Sequence, residues 1–180
     1  MSVLTRLRHR VRGNHLEVEP LRRKHLGAVM AIERVAYPKP WTVNVFMGEL
    51  EMMRRGERTY IAAFDGRALV GYAGLLYTGD DAHVTNIAVA PTHRRHGVAT
   101  RLLAELAWTA VRRGCTGLTL EVRVSNTGAQ SLYERFGFEP AGVRKKYYEN
   151  TEDAIVMWRH GILEQSYRDR LRELCPEAWR

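Results

Sequence analysis

Cysteine is scarce in this chain. Only Cys115 and Cys175 occur among 180 residues, far apart and without metal-ligand spacing. That excludes a disulfide framework and reads as two reduced thiols of an intracellular protein, expected in the cytoplasm. No window comes near the roughly 18 uninterrupted apolar residues of a membrane span, so no membrane partner is expected. The basic start lacks the apolar stretch that a secretory signal needs after it. Internal repeats and low-complexity segments are absent. Residues 1–14 contain no acid and no aromatic, only Arg6, Arg8, Arg10 and Arg12 among charged side chains; these four supply half of the +8 net charge. Without interleaved rings the arm is not a stacking platform for single-stranded nucleic acid. It reads first as a solvated, flexible tail, with contact to RNA or to an acidic surface as the alternative.

What remains is long enough for one domain with a real core. Leu16–Leu21 reads as a strand and about Arg23–Val35 as a helix. Pro38 and Pro40 end that helix, and Thr42 caps the next, with Trp41 and Phe46 set as a hydrophobic staple. Asp65-Gly66 joins strands Thr59–Phe64 and Ala68–Tyr77 in a hairpin. Strand Val84–Val89 follows, then a helix over about Gly97–Arg113 with Val98, Leu102, Leu106 and Ala110 on one stripe. Leu118–Val124 alternates, with Leu118, Leu120, Val122 and Val124 facing one way and Thr119, Glu121 and Arg123 the other. A short helix carries Ala129, Leu132, Tyr133 and Phe136 and stops at Gly137; strands over about Val143–Tyr147 and Ala154–Trp158 come next. Strands alternating with helices and hairpins predict a mixed α/β sheet covered on both faces. In the tail 161–180, Leu163, Tyr167, Leu171 and Leu174 predict a last amphipathic helix, packed on its own domain or serving self-association. Monomer and homodimer both stay open.

The chemistry concentrates where Val84–Val89 runs into Pro91 and the turn Arg94-Arg95-His96-Gly97-Val98-Ala99-Thr100. A helix starting inside a glycine-containing turn presents free N–H groups and partial positive charge. Gly97 lets backbone approach a phosphate oxygen, and Arg94, Arg95 and His96 add charged donors. The spacing is neither a dinucleotide fingerprint nor a P-loop. His93 and His96 have no further ligands to complete a metal set, so no metal is expected.

Arg94-x-x-Gly97-x-Ala99 resembles the acetyl-CoA loop of the GCN5-related N-acetyltransferases (GNAT). Leu120-Glu121-Val122-Arg123-Val124-Ser125-Asn126, Leu132-Tyr133-x-x-x-Gly137-Phe138 and Lys146-Tyr147-Tyr148-Glu149-Asn150 follow in order. Together they resemble the family's N-terminal protein acetyltransferases, in particular the bacterial ribosomal-protein alanine N-acetyltransferases, over residues 15–160. The resemblance implies a mostly antiparallel sheet with two splayed parallel strands, Val84–Val89 and Leu118–Val124, holding acetyl-CoA as co-substrate. Ile87, Ala88 and Val89 would pair with the pantetheine amides and residues 95–100 would hold the pyrophosphate, with Arg94 and Arg101 as counter-charges and Asn126 as a further contact.

It also implies Glu121 as general base and Tyr133 as general acid. Taken locally, Glu121 is equally open to an ion pair with Arg123, and Tyr133 to core packing. Partial burial is expected to raise the Glu121 pKa, which improves a base. Tyr147 and Tyr148 match the acceptor-gripping loop; Tyr37 and Trp41 form the opposite wall or pack in the core. The implied acceptor is the terminal alanine of ribosomal protein S18. Transfer to lysine, to a small amine or to many N-termini is the alternative within the family. An acyl-CoA sensor without turnover is the alternative outside catalysis.

Overall fold

The computed structural model describes residues 16–179. The basic arm 1–14 lies outside the described residues. The chain forms β1 (Leu16–Pro20), α1 (Leu26–Ala36), α2 (Val43–Arg54), β2 (Arg58–Asp65), β3 (Ala68–Thr78) and β4 (Asp81–Val89). It continues through α3 (Val98–Arg112), β5 (Gly117–Arg123), α4 (Thr127–Arg135), β6 (Glu139–Tyr148), β7 (Glu152–His160) and α5 (Gln165–Leu174). Two expectations shift. A 3-10 turn, Arg23–His25, precedes the first helix, and β5 ends at Arg123, which leaves Val124 exposed rather than on the core face.

The seven strands lie in the order β1-β2-β3-β4-β5-β7-β6. Every neighbouring pair is antiparallel except β4 and β5. Those two pair only from Asp81↔Gly117 to Val84↔Leu120, and beyond that point each continues without the other. A bulge on β4 marks the parting: Val84 opposes Leu75 and Asn86 opposes Gly74, which leaves Thr85 as an extra residue. Tyr60 locks it. Its hydroxyl hydrogen-bonds the Thr85 hydroxyl at 3.0 Å, and its ring lies where a Cβ on residue 74 would stand, so only glycine fits there.

The extra residue inverts the side-chain alternation. Ala82 and Val84 belong to the core under α3, and past Thr85 it is Ile87 and Val89 that pack against that core. Ala88 joins the core on the other face. The α3 face buries Val98, Leu102, Leu106 and Ala110 of α3 with Leu118, Leu120 and Val122 of β5. The opposite face buries Val29 and Ile32 of α1 and Phe46 of α2 against Tyr60 and Tyr72. Each buried Val, Leu, Ile or Phe among them contributes about 1.5–3 kcal/mol of hydrophobic stabilisation. Tyr167 and Leu171 of α5 are buried in the α3-face core, so the last helix packs on its own domain.

Candidate active site

The parted strands open one cleft of about 1140 Å³. Its floor is the free ends of β4 and β5. One end is walled by the turn 93–101, one side by α4, and Tyr37 and Tyr148 close the other. Antiparallel alternation, anchored by Ala90 N–H donating to Val70 O at 2.8 Å, turns the N–H and C=O of Ile87 and Val89 into the gap. Those of Ala88 point to β3, so Ala88 offers the gap no backbone amide, a departure from the expectation. The Tyr37 hydroxyl donates to the Ile87 carbonyl at 3.2 Å, and Arg94 Nε reaches the Val89 carbonyl at 3.4 Å.

The turn sets open backbone beside basic side chains. Gly97 sits at φ 80° as the N-cap of α3 and provides no side-chain cap. The N–H groups of Val98, Ala99 and Thr100 therefore have no intrahelical acceptor. Nothing lies within 4 Å of where a Gly97 Cβ would project, so the approach is open. Arg95 is also left-handed, at φ 65°. Arg94, Arg95 and His96 all border the cleft. Arg101 is a weaker counter-charge than expected, because its guanidinium is tied to Glu105 at 2.8 Å.

Glu121 lies at the parting point, its side chain only 9% exposed. Sequence reasoning left open an ion pair between Glu121 and Arg123. Instead Arg123 bridges Glu149 at 2.8 Å and Glu152 at 3.0 Å and stacks over Tyr148. Glu121 is held by His83 Nε2 at 3.0 Å on one oxygen and by Arg144 at 3.2 Å on the other. These contacts overturn the expected pKa rise: the His83 hydrogen bond, aided by Arg144, outweighs burial and holds the carboxyl below its ordinary value. Neither partner was named from sequence. His83 stands opposite Thr119, two residues before Glu121, so only the parallel register of β4 and β5 reveals it.

Three tyrosines converge from different elements. Tyr133 comes from α4, its ring packed on Phe138; Tyr37 follows α1; Tyr148 ends β6, its hydroxyl donating to the Glu121 carbonyl at 3.1 Å. Burial pushes the Tyr133 hydroxyl up to about 12 and raises Tyr37 and Tyr148 as well, and each of the latter is further raised by charge on the neighbouring phenols. Asn126 borders the cleft, with its Oδ1 capping α4 by accepting from Ala129 N–H at 3.1 Å. Trp41 and Tyr147 are not brought to the cleft. Trp41 packs on Phe46 at 5.4 Å between ring centres, while Tyr147 is exposed with its ring edge against Tyr148.

The family model described as "Acetyltransferase (GNAT) family" matches residues 26–138. The chain belongs to the GNAT acetyltransferase family. It is 35% identical over 145 residues to the [ribosomal protein bS18]-alanine N-acetyltransferase of Escherichia coli K12, a match spanning 78% of this chain and 94% of that protein. The crystal structure of the ribosomal-protein-S18-alanine N-acetyltransferase from Escherichia coli superimposes with a TM-score of 0.73 at 31% identity, covering 81% of this chain and 94% of that one. The NatC complex bound to Gag peptide and CoA shares the fold alone, at TM-score 0.71 and 21% identity over 81% of this chain and 98% of that one. This acetyltransferase therefore has the seven-stranded, mostly antiparallel sheet with one parallel pair that its motifs imply. Among the described residues no group of His, Cys, Asp and Glu is arranged to hold a metal, and no helix is long and apolar enough to cross a membrane.

Proposed function

We propose that this acetyltransferase acetylates the α-amino group of a protein N-terminus, with the terminal alanine of ribosomal protein S18 as the favoured acceptor and acetyl-CoA as donor. The observation that carries the reading is the gap itself. It joins an anion-binding turn at one end to a buried carboxylate and converging phenols at the other, which suits a donor with a pyrophosphate and a thioester set far apart. The E. coli relative named for bS18 covers nearly its whole length with this chain, which supports the choice of acceptor.

Acetyl-CoA supplies an electrophilic thioester carbon. The acceptor must arrive neutral. At pH 7 that costs about 1 kcal/mol for an α-amino group and between about 4 and 5 kcal/mol for lysine. Glu121, with its acidity strengthened, is a poor final resting place for the proton. Its carboxylate instead orients the amine, directly or through a water that passes the proton on to solvent, while His83 and Arg144 hold the carboxylate in place. The Ile87 N–H, turned into the gap, is the donor placed for the oxyanion. Tyr133 donates a hydrogen bond to the departing sulfur. Tyr37 and Tyr148 flank the acceptor, while Arg94–Thr100 and Asn126 grip the donor.

The test is a peptide panel analysed by mass spectrometry. One arm carries a free N-terminal alanine and no lysine, the other a blocked terminus and free lysines. Acetylation confined to the first arm is expected and is to be lost in Glu121→Gln. Predominant lysine labelling overturns the reading, and CoA binding without transfer to any peptide makes the protein a sensor.

A further inference from the structure

The tip of the hairpin between β6 and β7 has a backbone that needs holding. Lys146, Glu149 and Asn150 take positive φ, at 51°, 50° and 58°, and of these only asparagine adopts it readily. On β6, residues 145–147 stand between the pairs Arg144↔Ala154 and Tyr148↔Glu152, where β7 offers Asp153 alone. Asp153 fills this bulge, accepting from Lys146 N–H at 2.8 Å and from Lys145 Nζ at 2.7 Å. The rest of the hold comes from Arg123, the last residue of β5. Its guanidinium reaches Glu149 at 2.8 Å with one arm and Glu152 at 3.0 Å with the other, and lies over the Tyr148 ring, 4.1 Å from its centre. Glu152 in turn accepts from Ser125 N–H at 3.0 Å and from the Ser125 hydroxyl, so the tip is tied to the chain leading into α4.

We propose that Arg123 is a positioning residue for the acceptor: it fixes the Tyr148 ring that borders the cleft, and through that ring the peptide lying against it. The proposal rests on the reading above of Tyr148 as an acceptor contact. Tyr148 is held in two places. Its hydroxyl donates to the Glu121 carbonyl at 3.1 Å, and the guanidinium covers one face of its ring. The acceptor wall is thereby set relative to the strand that carries Glu121. Without the guanidinium, two carboxylates that share one cation would repel each other across the tip, and the ring would lose the contact on its face. A flat fork serves both purposes at once, which the single ammonium of lysine cannot do. Arg123 also borders the cleft, but both its arms are engaged by carboxylates, so its effect falls on the acceptor and not on the donor.

Steady-state kinetics with a peptide bearing an N-terminal alanine tests the proposal. Arg123→Ala is expected to raise the KM for the peptide about five- to tenfold, while kcat and the KM for acetyl-CoA change less than about twofold. Arg123→Lys, which keeps the charge and loses the fork, should melt as the parent does and raise the peptide KM about threefold. A cycle with Tyr148→Ala reads the route of the effect: once the ring is gone, Arg123→Ala should add no further rise. Additive effects overturn the proposal, as does a peptide KM unchanged in both Arg123 variants or an equal rise in the KM for acetyl-CoA. If Arg123→Ala does not fold, Arg123→Lys completes the same cycle and decides it. A wild-type protein that acetylates only lysine peptides overturns the N-terminal reading, and the cycle run with such a peptide still decides the role of Arg123; a wild type that transfers to no peptide overturns both.

Discussion

Removing the Tyr133 hydroxyl separates two roles that a phenol beside a leaving sulfur can play. A thiol like that of cysteine ionises near about 8.5, whereas burial pushes Tyr133 up to about 12. Handing the proton to the thiolate is then uphill by roughly 3.5 units, or about 5 kcal/mol. Burial has widened that gap from the roughly 2 kcal/mol of an ordinary tyrosine. In the proposed reaction Tyr133 thus serves as a fixed hydrogen-bond donor to developing charge, an interaction of about 1.5–3 kcal/mol. Tyr133→Phe is expected to lower kcat about 10- to 150-fold while leaving the KM for acetyl-CoA nearly unchanged. Two controls read the role directly. Between pH 7 and about pH 10 the ratio of wild-type to variant rates should stay flat, because a phenol at about 12 remains protonated throughout. Acetyl donors with more acidic thiols should shrink the deficit, because their thiolates need less help. An alkaline fall in wild-type kcat centred near pH 9–10 and missing from Tyr133→Phe refutes this reasoning, and so does full turnover by the variant.

Three further outcomes follow from the same contacts. The depressed Glu121 pKa means its ionised form favours the folded state: that contribution is complete above the ordinary glutamate value of about 4.3 and is lost as pH falls through the lower folded one. Melting curves of wild type and Glu121→Gln from pH 7 to pH 3 should therefore differ most at the upper end and converge on acidification; a gap that widens in acid contradicts the ion pairing. Gly97→Ala places a methyl at φ 80° on the open side of the turn, at about 1–2 kcal/mol of backbone strain, and should weaken CoA at least tenfold by calorimetry; equal binding puts the pyrophosphate elsewhere. Glu33 is buried, accepting from the Tyr72 hydroxyl and, at 2.8 Å, from Trp41 N–H, so Glu33→Ala strands two donors and should lower urea stability by about 2–5 kcal/mol; a loss below about 1 kcal/mol shows that the loop refolds around the gap.

Much of the fold was legible because its signals are local. Asp65-Gly66 makes the hairpin between β2 and β3, Thr42 caps α2, Gly137 ends α4 at φ 79°, and the stripe of α3 faces the core it was read to face, while of the last stripe Tyr167 and Leu171 are buried and Leu163 is exposed outside α5. The left-handed turn at Gly97 that opens α3 was legible for the same reason, since Arg94 to Thr100 are neighbours in sequence. What escaped depends on register between distant segments. His83 and Arg144 reach Glu121 from β4 and β6, and no spacing within β5 announces them. Trp41 carries the same aromatic signal whether it lines a groove or staples a helix, and the contact with Phe46 decides for the staple.

One residue joins the legible part to the hidden part. Had β4 kept strict alternation past Val84, Thr85 would fill a ladder position and nothing in β4 would end its pairing with β5. The bulge changes this in a single step. It parts the strands, and it moves Ile87 and Val89 onto the α3-face core, with their amides turned into the opening. A gap with satisfied edges would have no acceptor for the Tyr37 hydroxyl and no N–H to offer an oxyanion. The trace of this in sequence is Gly74, a glycine inside an apolar strand, which marks a bulge or a close approach. Here it marks both, since the Tyr60 ring needs its missing side chain in order to hold Thr85 out of register. The opening beside Glu121 thus rests on a packing contact between Tyr60 and Gly74, neither of which borders the cleft.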